Sequence, residues 1–331
     1  MRELTITSND AGRRLDRFLR KYLKNASLGQ IYKIIRKDVK VDGKRKGEEY
    51  VLNEGEVLTL YMSDEELEKL SGGSAGKAAG GHKAKRQFRI IYEDANVLIV
   101  DKPYGLLTHG DVREKKNHLA NQVKDYLIET GEFNPREEKV FSPAPANRID
   151  RNTTGLVLFG KTSLALKGLN EMIREDEINK YYLTIVHGTI DHVLELESAL
   201  TKDERSNTVK ISKEGELAIK TIVRPLQELD KNTTLVEVEL VTGRSHQIRA
   251  HLSSIGHPII GDSKYATRSA IRLNSYLSER YHLSTQLLHA YRLEFNQAAD
   301  GLEYLEGKKY VAPMPEAFGR ILEGLGGKSF G

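Results

Sequence analysis

The chain has 331 residues, 39% hydrophobic and 30% charged, enough for one large and one small domain with a real core. It contains no cysteine, which excludes disulfides, thiolate nucleophiles and cysteine-bearing zinc sites and fits a reducing cytoplasm. No apolar run is long enough to span a bilayer, and Met1 to Thr7 lacks a signal-peptide apolar block. The formal net charge is only +4, yet 13 of the 51 basic residues and 5 of the 47 acidic ones fall between Arg13 and Glu49. One short segment therefore holds the positive field. That suits nucleic acid or an anionic surface, and a solvated lysine-rich face accounts for it equally well.

Leu4 and Ile6 alternate with polar residues as in a short strand. From about Arg13 the residues Leu15, Phe18, Leu19, Tyr22 and Leu23 share one helical face. Ser27 is a suitable N-cap for a second helix that carries Ile31, Ile34 and Ile35, with Lys33, Arg36 and Lys37 on the opposite side. Val39-Lys40-Val41 then meets the tight-turn pair Asp42-Gly43, and Val51-Leu52 and Val57 to Leu60 add strand material. The order of these residues, from Arg13-Arg14-Leu15-Asp16-Arg17 through Ile34-Ile35-Arg36-Lys37 to Gly55-Glu56-Val57, resembles an S4 RNA-binding domain. The resemblance implies a small αL-type domain over residues 1–62. Its two helices would present basic residues, Arg17, Lys33, Arg36 and Lys37 among them, to structured RNA.

Residues 63–86 read as a flexible Gly/Lys-rich linker, because Ser71-Gly72-Gly73-Ser74 and the glycines that follow cannot bury a core. They lack the Gly-Lys-Ser/Thr of a phosphate loop. From Phe88 the composition is mixed α+β. Arg89 to Asp94 and Val97 to Asp101 read as paired strands, Leu119 to Thr130 as a helix and Gly155 to Gly160 as a strand. Thr162 or Ser163 caps a helix holding Leu166, Leu169, Met172 and Ile173, and strands follow at Tyr181 to Val186 and Leu235 to Val241. There is no regular strand-helix alternation, so a doubly wound sheet does not fit.

The most informative stretch is Asn147-Arg148-Ile149-Asp150-Arg151-Asn152-Thr153-Thr154-Gly155. It places a carboxylate between two arginines, in a polar loop that leads into a strand. Neighbouring positive charge favours a charged acid beside a polyanion. Three further blocks accompany it. They are Asp101-Lys102-Pro103-Tyr104-Gly105-Leu106-Leu107-Thr108-His109, then Lys180-Tyr181-Tyr182-Leu183, then Thr242-Gly243-Arg244-Ser245-His246-Gln247-Ile248-Arg249-Ala250-His251 continuing to Gly256-His257-Pro258 and Gly261-Asp262. Together the four blocks resemble the RluA-type RNA pseudouridine synthases, with two departures. Asn147 and Ile149 stand where that family usually has His and Leu, and His109 is followed by Gly110 rather than Pro.

The resemblance implies an α+β pseudouridine synthase fold over residues 87–331, with a mixed, mostly antiparallel central sheet and flanking helices. It implies an isomerase that needs no cofactor and no metal. Asp150 would be the nucleophile and Arg244 the cation that keeps it charged. Tyr182 would stack on the extruded uracil, with Ile248 as the apolar wall opposite. Arg148 would fill the vacated space or hold a phosphate, Lys180 would be structural or contact a phosphate, and Lys102 and His109 would line the RNA groove. His246, His251, His257 and Asp262 could be drawn as a metal site, but positions five apart on a helix converge poorly. Large-subunit ribosomal RNA is the expected substrate, with transfer RNA open. A cytoplasmic monomer is expected, with no membrane partner. A non-catalytic RNA-binding or ribosome-assembly factor is the first rival. A retaining glycosidase is the second, and the lack of tryptophan makes it a poor one.

Overall fold

The computed structural model describes residues 1–71, 85–203, 208–212 and 217–328. The chain opens with β1 (Arg2–Thr5), α1 (Leu15–Tyr22), α2 (Leu28–Asp38), β2 (Val39–Val41), β3 (Val57–Leu60) and α3 (Asp64–Ser71). It continues through β4 (Arg89–Glu93), β5 (Val97–Lys102), α4 (Leu119–Glu129), β6 (Ala144–Pro145), β7 (Thr154–Gly160), α5 (Ser163–Arg174) and β8 (Ile178–His187). Then come β9 (Leu194–Asp203), β10 (Thr208–Ser212), β11 (Leu217–Leu229), β12 (Thr233–Leu240), α6 (Gln247–Ser254), α7 (Ile271–Tyr281), β13 (Leu288–Phe295), β14 (Lys309–Val311) and α8 (Glu316–Gly324). Two compact units result. One is Met1–Arg86 with Asn121–Ala144 and Gly160–Leu166; the other is Gln87–Ala120, Pro145–Phe159 and Lys167–Gly331. Among the described residues no helix is long and apolar enough to cross a membrane.

In the first unit β3 lies between β1 and β2 and is antiparallel to both. Leu15, Phe18 and Leu19 of α1 join Ile31, Ile34 and Ile35 of α2 in one core with Leu4, Val39 and Leu58, as their helical spacing requires. Ser27 and Gln30 cap α2 reciprocally, the Ser27 hydroxyl accepting from the Gln30 amide at 3.3 Å and the Gln30 side chain from the Ser27 amide at 2.8 Å. Asp42 and Gly43 both take positive φ, 48° and 73°, which is what a two-residue turn after β2 demands. Arg17, Lys33, Arg36 and Lys37 are all exposed.

Two boundaries differ from expectation. Residues 64–71, expected in the linker, form α3. Ser63 Oγ accepts from the Glu66 amide at 3.2 Å, Glu66 Oε2 accepts from the Ser63 amide at 3.3 Å, and Leu67 is buried in the first core. A capping box followed by a single buried leucine is a weak sequence signal. The Gly-rich remainder, 72–84, lies outside the described residues. The second difference is that Asn121–Ala144 and Gly160–Leu166 group with the first unit. The Asp10 carboxylate accepts from the amides of Lys139 and Phe141 at 3.3 and 3.0 Å, and Asn9 Oδ1 from the Ser163 amide at 2.8 Å. These are side-chain bonds between residues far apart in the chain, and no periodicity announces them.

The second unit is built on a sheet in the spatial order β10-β9-β11-β12-β8-β13-β7-β5-β4, with β14 beside β13. Its pairs β9–β10, β9–β11, β11–β12, β8–β12, β8–β13, β13–β14 and β4–β5 are antiparallel, and β13–β7 is parallel. This is the mixed, mostly antiparallel sheet expected. Leu183 and Ile185 of β8 pack in one cluster with Leu273 and Leu277 of α7 and Phe318, Ile321 and Leu322 of α8. Strand alternation therefore turns Tyr182 to the opposite face.

His251 and His289 are buried in this unit, each bonding a threonine hydroxyl through Nδ1, Thr221 at 3.0 Å and Thr154 at 2.8 Å. Burial pushes both imidazoles down to about 4. Between that value and the ordinary 6.5, the unfolded chain binds more protons than the folded one. Stability therefore rises with pH across this window and is lost on acidification. Urea unfolding at pH 6.5 and 4.5 should show that His289→Gln loses about 2 kcal/mol less than the wild type on acidification. Equal losses would show that His289 is not a source of the acid sensitivity.

Candidate active site

Asp150 sits in the loop before β7, and that loop is bonded from both sides. Asn147 Oδ1 accepts from the Leu158 amide at 2.8 Å, and the Ala146 amide bonds Leu158 O at 2.7 Å. The departure at Asn147 is thus a clamp that ties the loop to the strand it feeds. Thr108 donates to Ile149 O at 2.8 Å. Lys102 donates to Pro103 O, Leu106 O and Arg151 O at 3.0, 2.8 and 3.0 Å. Just after the loop, Gly155 has φ 108°, and a Cβ there would lie 2.1 Å from Ala290 O. No other residue lets β7 approach β13 so closely.

The carboxylate of Asp150 is partly exposed. It accepts from Arg249 Nη1 at 3.2 Å, and His246 Nε2 lies 3.9 Å away. Arg249 is itself held by the fully buried Asp262, through Nε at 2.7 Å and Nη2 at 2.9 Å, and its guanidinium lies 5.1 Å from the Tyr265 ring centroid. Burial opposes the charge of Arg249. The hydrogen bond and charge of Asp262, joined by the charge of Asp150, nonetheless raise its pKa above the ordinary value. Asp262 also accepts from the amides of Lys264 and Tyr265 at 3.0 and 3.2 Å.

One cleft is lined by Arg148, Ile149, Asp150, Thr153, Tyr182, Leu240, Arg244, His246, Gln247, Ile248, Arg249 and Leu288. Tyr182 is almost fully buried in its wall. Burial, and then the charge of Asp150, push its phenol above the ordinary range. Its neighbour Tyr181 lies under the Arg292 guanidinium at 4.0 Å. Ile248 is buried in α6. The entry to α6 is set by Gln247, whose Oε1 accepts from Thr242 Oγ1 at 3.0 Å and the Arg244 amide at 3.2 Å, while its Nε2 donates to Lys220 O and Thr221 Oγ1.

The cleft therefore unites five of the expected residues: Asp150, Tyr182, Arg148, Ile248 and Arg244. Two expectations change. The guanidinium bonded to Asp150 is that of Arg249, not Arg244, which is exposed in the loop before α6. Lys102 was expected in an RNA groove, but it has no exposure and its ammonium is saturated by three carbonyls. Burial pushes it down to about 7 against the charges of Asp150 and Asp101. Lys180 is 6% exposed, which suits the structural half of its expected role and not a phosphate contact, and burial lowers its pKa against the charge of Asp176. His109 is half-buried and not among the residues lining the cleft, and its pKa is lowered by burial and then by the positive charge of Arg148.

Sequence reasoning missed Arg249, Asp262 and Tyr265. No spacing pattern pairs Arg249 with Asp262, 13 positions further along the chain. His246, His251 and His257 bond separate partners, Tyr265 Oη, Thr221 Oγ1 and His187 O.

The cleft thus combines one carboxylate held by a buried arginine with an apolar wall and a buried phenol. A family model described as RNA pseudouridylate synthase matches residues 96–254. The chain is 31% identical to the ribosomal large subunit pseudouridine synthase C of Vibrio vulnificus, over 97% of this chain and 95% of that protein. It is 33% identical to the protein of the same description from Escherichia coli, over 97% and 96%. Among solved structures, human RNA pseudouridylate synthase domain containing 4 has a TM-score of 0.54 at 23% identity, covering 71% of this chain and 92% of that one, which shows a shared fold. The chain belongs to the RNA pseudouridylate synthase family and is an isomerase.

Removing Arg249 would leave the carboxylate of Asp262 buried and short of two donors. Arg249→Met should lower unfolding stability by about 3 kcal/mol, whereas the exposed Arg244→Met should change it by less than about 0.5 kcal/mol. Thermal or urea unfolding of the two variants would show this ranking. Equal effects would contradict the assignment of the anchoring role.

Proposed function

We propose that this enzyme converts specific uridines of large-subunit ribosomal RNA to pseudouridine, with Asp150 as the nucleophile. The observation that carries the reading is the placement of Asp150 in a cleft, bonded to Arg249 and faced by Tyr182. The relatives described as ribosomal large subunit pseudouridine synthases support the choice of RNA.

The reaction breaks the N1–C1′ bond of uridine, turns the base and joins C5 to C1′. The C5 proton is lost and N1 gains one, so the change is an isomerisation with no net redox step. Asp150 assists by attack at C1′ or by taking a ribose proton. A stacked base must first leave its helix, at an unfavourable free energy of a few kcal/mol. Arg148 at the exposed rim fills the space left behind or holds a phosphate, and His109 beside it contacts the RNA. Tyr182 and Ile248 enclose the uracil between a ring and an aliphatic wall. Arg244, exposed on the same cleft, contacts the RNA backbone.

The basic first unit acts as an S4-like RNA-binding domain, with Arg17, Lys33, Arg36 and Lys37 as phosphate contacts. The chain works as a cytoplasmic monomer without cofactor or metal.

Carbodiimide mapping of pseudouridines in total RNA from a knockout strain tests the reading. Wild-type protein should restore one or more sites in large-subunit RNA, while Asp150→Ala should bind the RNA and restore none. Restoration by the alanine variant would refute the role of Asp150.

The first unit is tested by salt. Replacing Lys33, Arg36 and Lys37 together by alanine should flatten the slope of log Kd against log salt by about 2. An unchanged slope would remove these side chains from the RNA interface.

A further inference from the structure

His246 is a polar group of the cleft whose role the proposed reaction leaves open, and its bonding bears on which of its nitrogens carries the proton. Its backbone takes φ 55° and ψ 15°, left-handed for a residue with a side chain, at the N-cap of α6. Such a conformation persists only where the surroundings over-determine it. The surroundings here are a relay of bonds. The Val209 amide donates to Tyr265 Oη at 2.9 Å, and Tyr265 Oη lies 3.0 Å from His246 Nδ1, with the two rings edge to face at 84°. The amide can only donate, so the phenol oxygen accepts from it. With the phenol's own hydrogen directed to Nδ1, Tyr265 completes the relay. The neutral imidazole then carries its proton on Nε2.

Nε2 faces Asp150 Oδ2 at 3.9 Å, beyond hydrogen-bond length. The N–H is thus poised next to the carboxylate but not consumed by it. A second unmet polar group lies in the same wall: Thr153 is 1% exposed, lines the cleft, and its Oγ1 has no hydrogen-bond partner. A cleft with uncommitted polar atoms beside an apolar wall is built for a ligand whose edge carries hydrogen-bonding groups.

We propose that His246 is a catalytic residue, donating its Nε2–H to the pyrimidine carbonyl oxygen that neighbours C1′. The inference deepens the proposed function and rests on it. When the N1–C1′ bond breaks, its electron pair stays with the base and the charge spreads onto O2 and O4. A donor already in place at a carbonyl oxygen stabilises that charge without a proton transfer. Asp150 addresses the sugar, so a donor within 4 Å of it meets O2, the oxygen on the carbon bonded to N1. A half-turn of the uracil about its N3–C6 axis exchanges N1 with C5 and O2 with O4. The same N–H therefore meets O4 once the base has turned, and one fixed donor serves both orientations. Tyr265 is the positioning residue that sets the tautomer.

The test pairs a protein variant with an atom change in the RNA. Wild-type activity is first scored on total RNA from a knockout strain, and a transcript carrying the modified site is then made with uridine or 2-thiouridine at the target. Single-turnover rates and RNA affinity are measured for the wild type, His246→Ala and Tyr265→Phe. His246→Ala should slow turnover about 100-fold with RNA affinity within about threefold. Sulfur is a poorer acceptor than oxygen, so 2-thiouridine should slow the wild type about tenfold and His246→Ala by less than about twofold. Tyr265→Phe should slow turnover about tenfold and keep the sulfur effect. His246→Phe, which fills the ring's space without an N–H, provides the same cycle if the alanine variant does not fold. A wild type that forms no pseudouridine in total RNA overturns the proposed function, and this inference with it. An active wild type with an undiminished sulfur effect in the His246 variants overturns this inference alone.

Discussion

The site depends on a chain of charge that runs from Asp262 through Arg249 to Asp150. Asp262 has no solvent exposure and takes two of the arginine's nitrogens, leaving Nη1 for Asp150 at 3.2 Å. A buried ion pair is weak evidence for stability, because both charges lose their hydration. It is strong evidence for geometry. With two nitrogens fixed on a rigid acceptor, the planar guanidinium can offer the third in only one direction. The Asp150 loop is therefore met from one side by α6 and the segment that follows it. From the other side it is tied by Thr108 and Lys102 to the end of β5. A carboxylate on a loop acquires the positional definition of the elements around it.

The sheet then sorts chemistry by face. Successive residues of β8 alternate between the cluster beneath α7 and α8 and the cleft. Tyr182 reaches the cleft, and Leu183 and Ile185 reach the helices. Tyr182, Ile248, Leu240 and Leu288 give the cleft apolar surface, beside which a bond to a charged or developing anionic atom is stronger than in water. Three of its polar groups are held by partners outside it, Arg249 by Asp262, His246 by Tyr265, and Gln247 by the backbone of β11. On the proposed reading, the second unit performs the chemistry while the first supplies affinity that carries no information about the reacting bond.

Local patterns in the sequence reveal much of this. The capping box at Ser27, the Asp42-Gly43 turn and the apolar spacing of α1 and α5 act over a few residues and can be read directly. The blocks around Asp150 and Tyr182 single out the carboxylate and the ring, and the resemblance, not the period of the strand, chooses Tyr182 over Tyr181. What could not be read is long-range. Arg244 and Arg249 lie five positions apart in one motif, and only the start of α6 at Gln247 decides which guanidinium reaches Asp150. The lysine of the Lys102-Pro103 pair looks like a phosphate ligand until the fold surrounds it with carbonyls. Asp10 and Asn9 bind backbone amides far along the chain, so the unit boundary follows side-chain bonds that carry no periodic mark. The strand β13 escapes notice because His289, Tyr291, Arg292 and Glu294 blur its alternation.

The most direct test of the account is a crystal structure of the Asp150→Asn variant bound to its RNA. The account predicts an extruded nucleotide in the cleft, its C1′ within about 3.5 Å of the residue 150 side chain and its base against the Tyr182 ring. A nucleotide bound elsewhere, or a target base still stacked in its helix with the cleft empty, would contradict it.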